Sequence, residues 1–354
     1  MALKNINING SYSQERNYGY VFTLDNIFNL DCDTLCGDAL WGIFGCNNMN
    51  KVSIYNSQIN RFDCHCYSRD WLFVGCNFAH LYNQIGVHFG YIKFESCEFT
   101  DFIPILTDAS YCSATKYNAI FDNCIFNNIQ FVVSMTVSKD SFDNAQHRIL
   151  LSEYDLPDIT VGGIFNLSRN SFILRKSDDL LEYDSYFKLS YKNLTVNVSS
   201  SGELMVMNSS LKNVLINIDG LRYVYQDGWN YKNVRGITFN TDLTSVPVVI
   251  NNLKVHINDS YFPINHSLKK EFYNDTDAIF IIENSIIPWS TLNAYSNVEY
   301  INCEITCRYQ SSNFVCTPAI VYKNCRFNKE TNDSGYLYIP SNYFYHFQNC
   351  SFNV

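Results

Sequence analysis

A six-residue phrase returns along this chain: an apolar residue, any residue, an Asn-like residue, Cys or Ser, any residue, an apolar residue. It reads Phe73-Val74-Gly75-Cys76-Asn77-Phe78, then Phe94-Glu95-Ser96-Cys97-Glu98-Phe99, then Phe121-Asp122-Asn123-Cys124-Ile125-Phe126. It comes back late as Tyr300-Ile301-Asn302-Cys303-Glu304-Ile305, Tyr322-Lys323-Asn324-Cys325-Arg326-Phe327 and Phe347-Gln348-Asn349-Cys350-Ser351-Phe352. Serine forms stand at Ser57 and Ser285. A phrase that recurs every 20–30 residues or so marks a solenoid, whose units stack on their neighbours. The local period is two, with Asn and Gly as punctuation, so the repeating unit is built of strands and not of helices. Leucine-rich repeats are excluded, because regularly spaced Leu and Asn are absent.

The expected fold is therefore all-β: a right-handed parallel β-helix with coils of about 18–27 residues and some longer insertions. In each coil a strand ends at an Asn, which tolerates the left-handed conformation of a tight turn. The next strand starts with a small inward residue that stacks on its counterparts, and the apolar residues of the phrase on either side of it also point inward. Cysteine suits that place as a small buried hydrophobe. The turn asparagines of successive coils are expected to form a hydrogen-bonded ladder.

We expect one β-helix domain over residues 1–354: regular coils over 1–130, looser coils with insertions over 131–245, and regular coils again over 246–354. Residues 131–160 show no clean repeat and read as an inserted loop or hairpin. Residues 219–235, with Tyr223, Tyr225, Trp229 and Tyr231, read as an aromatic-rich excursion. Only 17% of residues are charged and 16% are aromatic, which excludes a disordered chain. A net charge of -9 with no basic run argues against nucleic acid as a partner. No apolar stretch of signal-peptide or membrane-span length is present, so folding in a cytoplasm and no membrane insertion are expected. In that compartment the 14 cysteines read as free thiols, and Asn-x-Ser/Thr triplets such as Asn193-Leu194-Thr195 carry no message.

The densest polar cluster is Arg61-Phe62-Asp63-Cys64-His65-Cys66-Tyr67. Alternation turns Arg61, Asp63, His65 and Tyr67 outward. One coil later Gln84 and His88 fall on the same outer face, and one coil earlier lies Trp41. Strands stack about 4.8 Å apart, so Asp63, His65 and His88 are placed to share a groove. A carboxylate beside a histidine suits acid–base work or sugar hydrogen bonding, and makes Asp63 and His65 the catalytic candidates. Arg61, Trp41, Tyr67, Gln84 and His88 are the candidate substrate contacts. Glu95, Glu98, Asp101 and Asp108 are further carboxylates for a glycosidase pair, with Trp41, Trp71 and Tyr82 as candidate sugar platforms. Cys64-His65-Cys66 and Cys32-x-x-x-Cys36 offer zinc-type ligands, but alternation puts His65 opposite Cys64 and Cys66, so neither a metal site nor a cofactor is expected.

The stretch Trp41-Gly42-Ile43-Phe44-Gly45-Cys46-Asn47-Asn48-Met49-Asn50-Lys51, followed by Asn60-Arg61-Phe62-Asp63-Cys64-His65, resembles phage and prophage tail fibres and tailspikes with a pectate-lyase-like β-helix. Tyr18-Gly19-Tyr20 and Gly75-Cys76-Asn77-Phe78 fit the same pattern, which covers about residues 18–100. The resemblance implies a virion protein that engages a host surface glycan, contacts other virion proteins and forms a homotrimer. Arg61, Asp63 and His65 are its matching polar positions. A polysaccharide depolymerase, hydrolase or lyase, and a purely structural virion part (a head fibre or tail adaptor) are the other readings.

Overall fold

A computed structural model describes residues 1–8, 22–25, 28–37, 44–47, 50–59, 62–64, 70–79, 85–87, 91–100, 104–108, 118–127, 131–136, 158–167, 172–176, 187–207, 211–229, 234–239, 250–261, 279–288, 297–307, 320–329 and 345–353. Among these residues there is no helix, the strands pair in parallel, and the architecture is a right-handed parallel β-helix. The chain divides into two compact units, Met1–Ser168 with Ile173–Tyr183, and Arg169–Phe172 with Asp184–Val354.

In the first unit, one ladder runs through Asn29–Gly37, Lys51–Tyr55, Asp70–Val74, Tyr91–Glu95, Asn118–Asn127 and Asp158–Leu167. Its register stacks Cys32, Ile54, Phe73, Phe94, Phe121 and Val161 in one column. A second column holds Ile59, Phe78, Phe99, Phe126 and Phe165. All of these side chains are buried. The rings of Phe73, Phe94 and Phe121 stack at 5.0 and 4.7 Å, those of Phe78, Phe99 and Phe126 at 4.9 and 5.3 Å, and the two columns meet edge to face. Each such side chain contributes about 1.5–3 kcal/mol by burial, so the aromatic columns are the principal cohesive term of the coils.

The second unit repeats the plan. Its ladder runs through Phe187–Val198, Leu211–Asp219, Ile250–Asn258, Ile279–Glu283, Asn297–Ile301, Ile320–Lys323 and Tyr345–Gln348. Tyr191, Ile218, Ile257, Ile282, Tyr300, Tyr322 and Phe347 form its central column. Tyr300, Tyr322 and Phe347 stack at 4.9 and 5.1 Å.

The expected left-handed corner is found in most described coils, with Thr, Ser, Asp or Gly sometimes in place of Asn. The corner residue has positive φ at Thr34, Asn56, Gly75, Ser96 and Asn123 in the first unit. In the second it does so at Asn193, Gly220, Asp259, Asn284, Asn302, Asn324 and Asn349. The asparagine ladder is also present: Asn324 Nδ2 donates to Asn302 Oδ1 (3.2 Å), Asn302 to Asn284 (3.2 Å), and Asn284 to Asn258 (3.0 Å). Asn258 Nδ2 ends the run on the Asp219 carboxylate at 2.9 Å.

The small residue after the corner does more than fit. Ser57 Oγ accepts the Leu35 amide of the preceding coil at 2.9 Å and donates its own proton to Tyr55 O at 2.7 Å. Ser260 Oγ accepts the Leu221 amide at 3.1 Å, and Ser285 Oγ accepts the Ser260 amide at 3.2 Å. Sulfur takes the same place as a donor: the thiols of Cys76, Cys97 and Cys124 donate to Ile54 O, Phe73 O and Phe94 O of the preceding coil at 3.4, 3.6 and 3.5 Å, and to Val74 O, Glu95 O and Asp122 O two places back at 3.6, 3.5 and 3.5 Å. A buried amide needs an acceptor, and the serine hydroxyl supplies one at a place where Ala would not. The cysteine core stack holds for Cys76, Cys97, Cys124, Cys303 and Cys325, which are buried and hydrogen-bonded, whereas Cys32 belongs to the apolar column of Ile54 and Phe73.

Two sequence expectations need correction. Phe131–Thr136 is a coil strand in register with Pro104–Asp108, so the segment 131–160 is not wholly an insertion. Its aromatic and β-branched run Phe131-Val132-Val133 is an ordinary strand signal. Arg222–Tyr225 is likewise a coil strand, paired with Thr195–Val198. After this strand the backbone turns again, where the Trp229 amide bonds to Gln226 O at 3.0 Å.

Candidate functional site

The sequence places the site on the first unit's early coils. Asp63 lies on the strand Phe62–Cys64, directly opposite Gly86 of Ile85–Val87. Gly86 in turn stands opposite Leu106 of Pro104–Asp108. The two segments proposed as neighbouring coils are therefore neighbours in register. The side chain of Asp63, and all of Arg61, His65, Tyr67, Trp41, Gln84 and His88, lie outside the described residues, as do Asp101 and Tyr82. Of the remaining carboxylates, Glu95 pairs with Lys93 at 2.9 Å, and Glu98 accepts Asn127 Nδ2 at 2.6 Å. Asp108 ends a strand opposite Thr136.

Trp71 is not a sugar platform. It stands between Val52 and Ile92 in a core column, only 2% exposed and stacked on Phe73 at 6.2 Å. Cys32 is buried as well, and burial, with the nearby Asp31 charge, pushes its thiol up to about 12. Such a thiol stays protonated at neutral pH and is a poor metal ligand. Among the described residues no group of three or more His, Cys, Asp or Glu side chains converges.

The described outer faces carry polar sets of their own. In the first unit Lys93 Nζ lies 2.9 Å from Glu95 and 3.2 Å from Asp122 of the next coil. The hydrogen bond to Glu95, and next that to Asp122, raise the Lys93 pKa against a lowering by desolvation. In the second unit His256 Nε2 meets Glu283 Oε2 at 3.1 Å across adjacent coils. Asn258 stands opposite Glu283 and binds Asp219, while Lys323 pairs with Glu299. These residues were missed because the sequence reading concentrated on the early coils. The signal was there in the alternation of Lys254-Val255-His256-Ile257-Asn258, whose even positions face outward once Val255 and Ile257 are fixed in the core.

Chemically this second-unit strip offers an imidazole–carboxylate pair, a carboxamide and two further carboxylates, all within a few coil steps of about 4.8 Å. Such groups hydrogen-bond hydroxyls as both donors and acceptors. Comparison with protein-family models, with curated proteins and with solved structures finds no match to this chain.

Proposed function

We propose that this chain is a virion fibre or tailspike-like protein whose β-helix engages a host surface polysaccharide. The observation that carries the proposal is the stack of in-register coils, which sets polar side chains at a constant step along an extended outer face. A polymer of repeating sugars is matched by a protein surface that itself repeats. The tail-fibre phrase over residues 18–100 supports the same reading. It implies a homotrimer held with other virion proteins, with Arg61, Asp63 and His65 as the polar positions of interest.

The test is binding of the purified full-length protein to capsular polysaccharides from candidate hosts, with a reducing-end assay on the same samples. Saturable binding without new reducing ends makes it an adhesive fibre. Released ends that vanish in Asp63→Ala make it a depolymerase with its site on the early coils. Absence of binding to any glycan or host cell overturns the proposal and leaves a purely structural role.

A further inference from the structure

We propose that the thiol spine of the first unit is a site of oxidative cross-linking, in which Cys97 forms an inter-coil disulfide with either Cys76 or Cys124. The three cysteines hold matching places in three successive coils. Val74, Glu95 and Asp122 are register partners on one side of them, and Asn77, Glu98 and Ile125 on the other. Coil spacing of about 4.8 Å falls inside the range of roughly 4.4–6.8 Å that a disulfide spans between Cα atoms. The side chains are at most 1% exposed, and the thiol of Cys97 contacts those of both neighbours.

The set is closed at both ends. Below Cys76 the spine position is Ser57. Above Cys124 it is Gly163, which has no side chain. Three thiols in a row allow one bridge, and every bridge between neighbours includes the middle one. The contacts with Cys124, and next with Cys76, lower the Cys97 thiol, whose own S–H faces Phe73 O at 3.6 Å and Glu95 O at 3.5 Å. The thiols of Cys76 and Cys124 are correspondingly raised, first by that contact and then by burial.

A small neutral peroxide is the oxidant class that suits a spine this well covered. The Cys97 sulfur attacks the peroxide oxygen, and the O–O bond breaks to leave a sulfenic acid and one water. The sulfur of Cys76 or Cys124 then attacks the sulfenic sulfur. The S–O bond breaks, a second water leaves with the thiol proton, and the S–S bond forms. Two thiols are oxidised and one hydrogen peroxide is reduced.

The experiment treats the folded full-length protein with hydrogen peroxide, blocks the remaining thiols, and sequences non-reduced peptides by mass spectrometry. The expected products join Cys97 to Cys76 or to Cys124, with the third thiol alkylated only after unfolding. Cys124→Ser is expected to give Cys76–Cys97 alone, and Cys97→Ser to give no bridge within the spine. Both variants should keep the native circular dichroism, because serine fills the equivalent places at Ser57, Ser260 and Ser285. A bridge between Cys76 and Cys124, conversion of Cys97 to sulfinic acid without a bridge, or a spine that stays reduced while the fold persists would each overturn the proposal. Should Cys97→Ser fail to fold, Cys124→Ser and the unmodified protein still decide the matter.

Discussion

Replacing Ser260 by alanine removes one oxygen atom and little volume, which makes it a clean probe of the spine. Leu221 is fully buried, and its amide bonds to Ser260 Oγ at 3.1 Å. In Ser260→Ala that amide has no acceptor. The neighbouring bonds survive: the Ser260 amide keeps Ser285 Oγ, and Asn258 O keeps the Gly220 amide at 3.3 Å. The loss is therefore one orphaned buried N–H, about 1–3 kcal/mol. If local opening controls exchange, the Leu221 amide should exchange about 5–150-fold faster in Ser260→Ala, since roughly 1.4 kcal/mol is a factor of ten. Ser260→Cys returns sulfur lone pairs at the place that Cys303 and Cys325 hold in later coils, and should recover most of the protection. Native-state hydrogen exchange of peptides covering Leu221 reads both variants. Unchanged protection in Ser260→Ala, or equal loss in Ser260→Cys, would refute the idea that the small residue is chosen for its lone pairs.

Three other outcomes are expected. Gly163 has φ +125°, and a Cβ there would lie 2.0 Å from Cys124 O, so Gly163→Ala should cost about 4 kcal/mol or more, seen as a collapsed urea midpoint or loss of soluble protein. Asn302 has φ 54° and two ladder bonds, so Asn302→Gly should be more stable than Asn302→Ala by about 1 kcal/mol in urea titration, although both lose the ladder. The Cys32 thiol is raised from its ordinary value of 9.0 to about 12. A raised pKa means that the folded state holds the proton more tightly, so this contribution is complete below about pH 9 and is lost as pH climbs toward about 12. Urea midpoints followed across that window should fall less in Cys32→Ser than in the parent.

Much of the fold was legible in the chain, because the corner demands unusual residues. Asn56, Asn123, Asn284 and Asn302 announce a left-handed backbone, and the aromatic residue three places before each spine cysteine announces a core column. Trp71 was equally readable. It precedes the inward Phe73 by two places, so alternation already assigned it to the interior. The spine's hydrogen bonds were not readable, since small size and lone pairs favour the same residues and only coordinates separate the two motives. Gly163 was hidden for another reason. The coil Asp158–Leu167 places one residue where Asn118–Asn127 places two, between Phe121 and Cys124, and a one-residue slip moves the phrase out of recognisable form. The site was the least legible part, because hydrogen-bonding side chains on an outer face obey no period of their own.

The two hydrogen-bond systems of the second unit run in opposite senses. Spine amides donate forward to the next coil, whereas ladder carboxamides donate back to the previous one. A coil such as the one holding Asn302 and Cys303 therefore presents the same chemistry below that it receives from above. Duplicating the stretch from Cys303 to Asn324 in tandem would reproduce interfaces the protein already makes, with tyrosine on tyrosine, asparagine on asparagine and thiol on thiol. On this plan a β-helix of greater length can be drawn from one template by repeating a coil, without inventing a new strand contact.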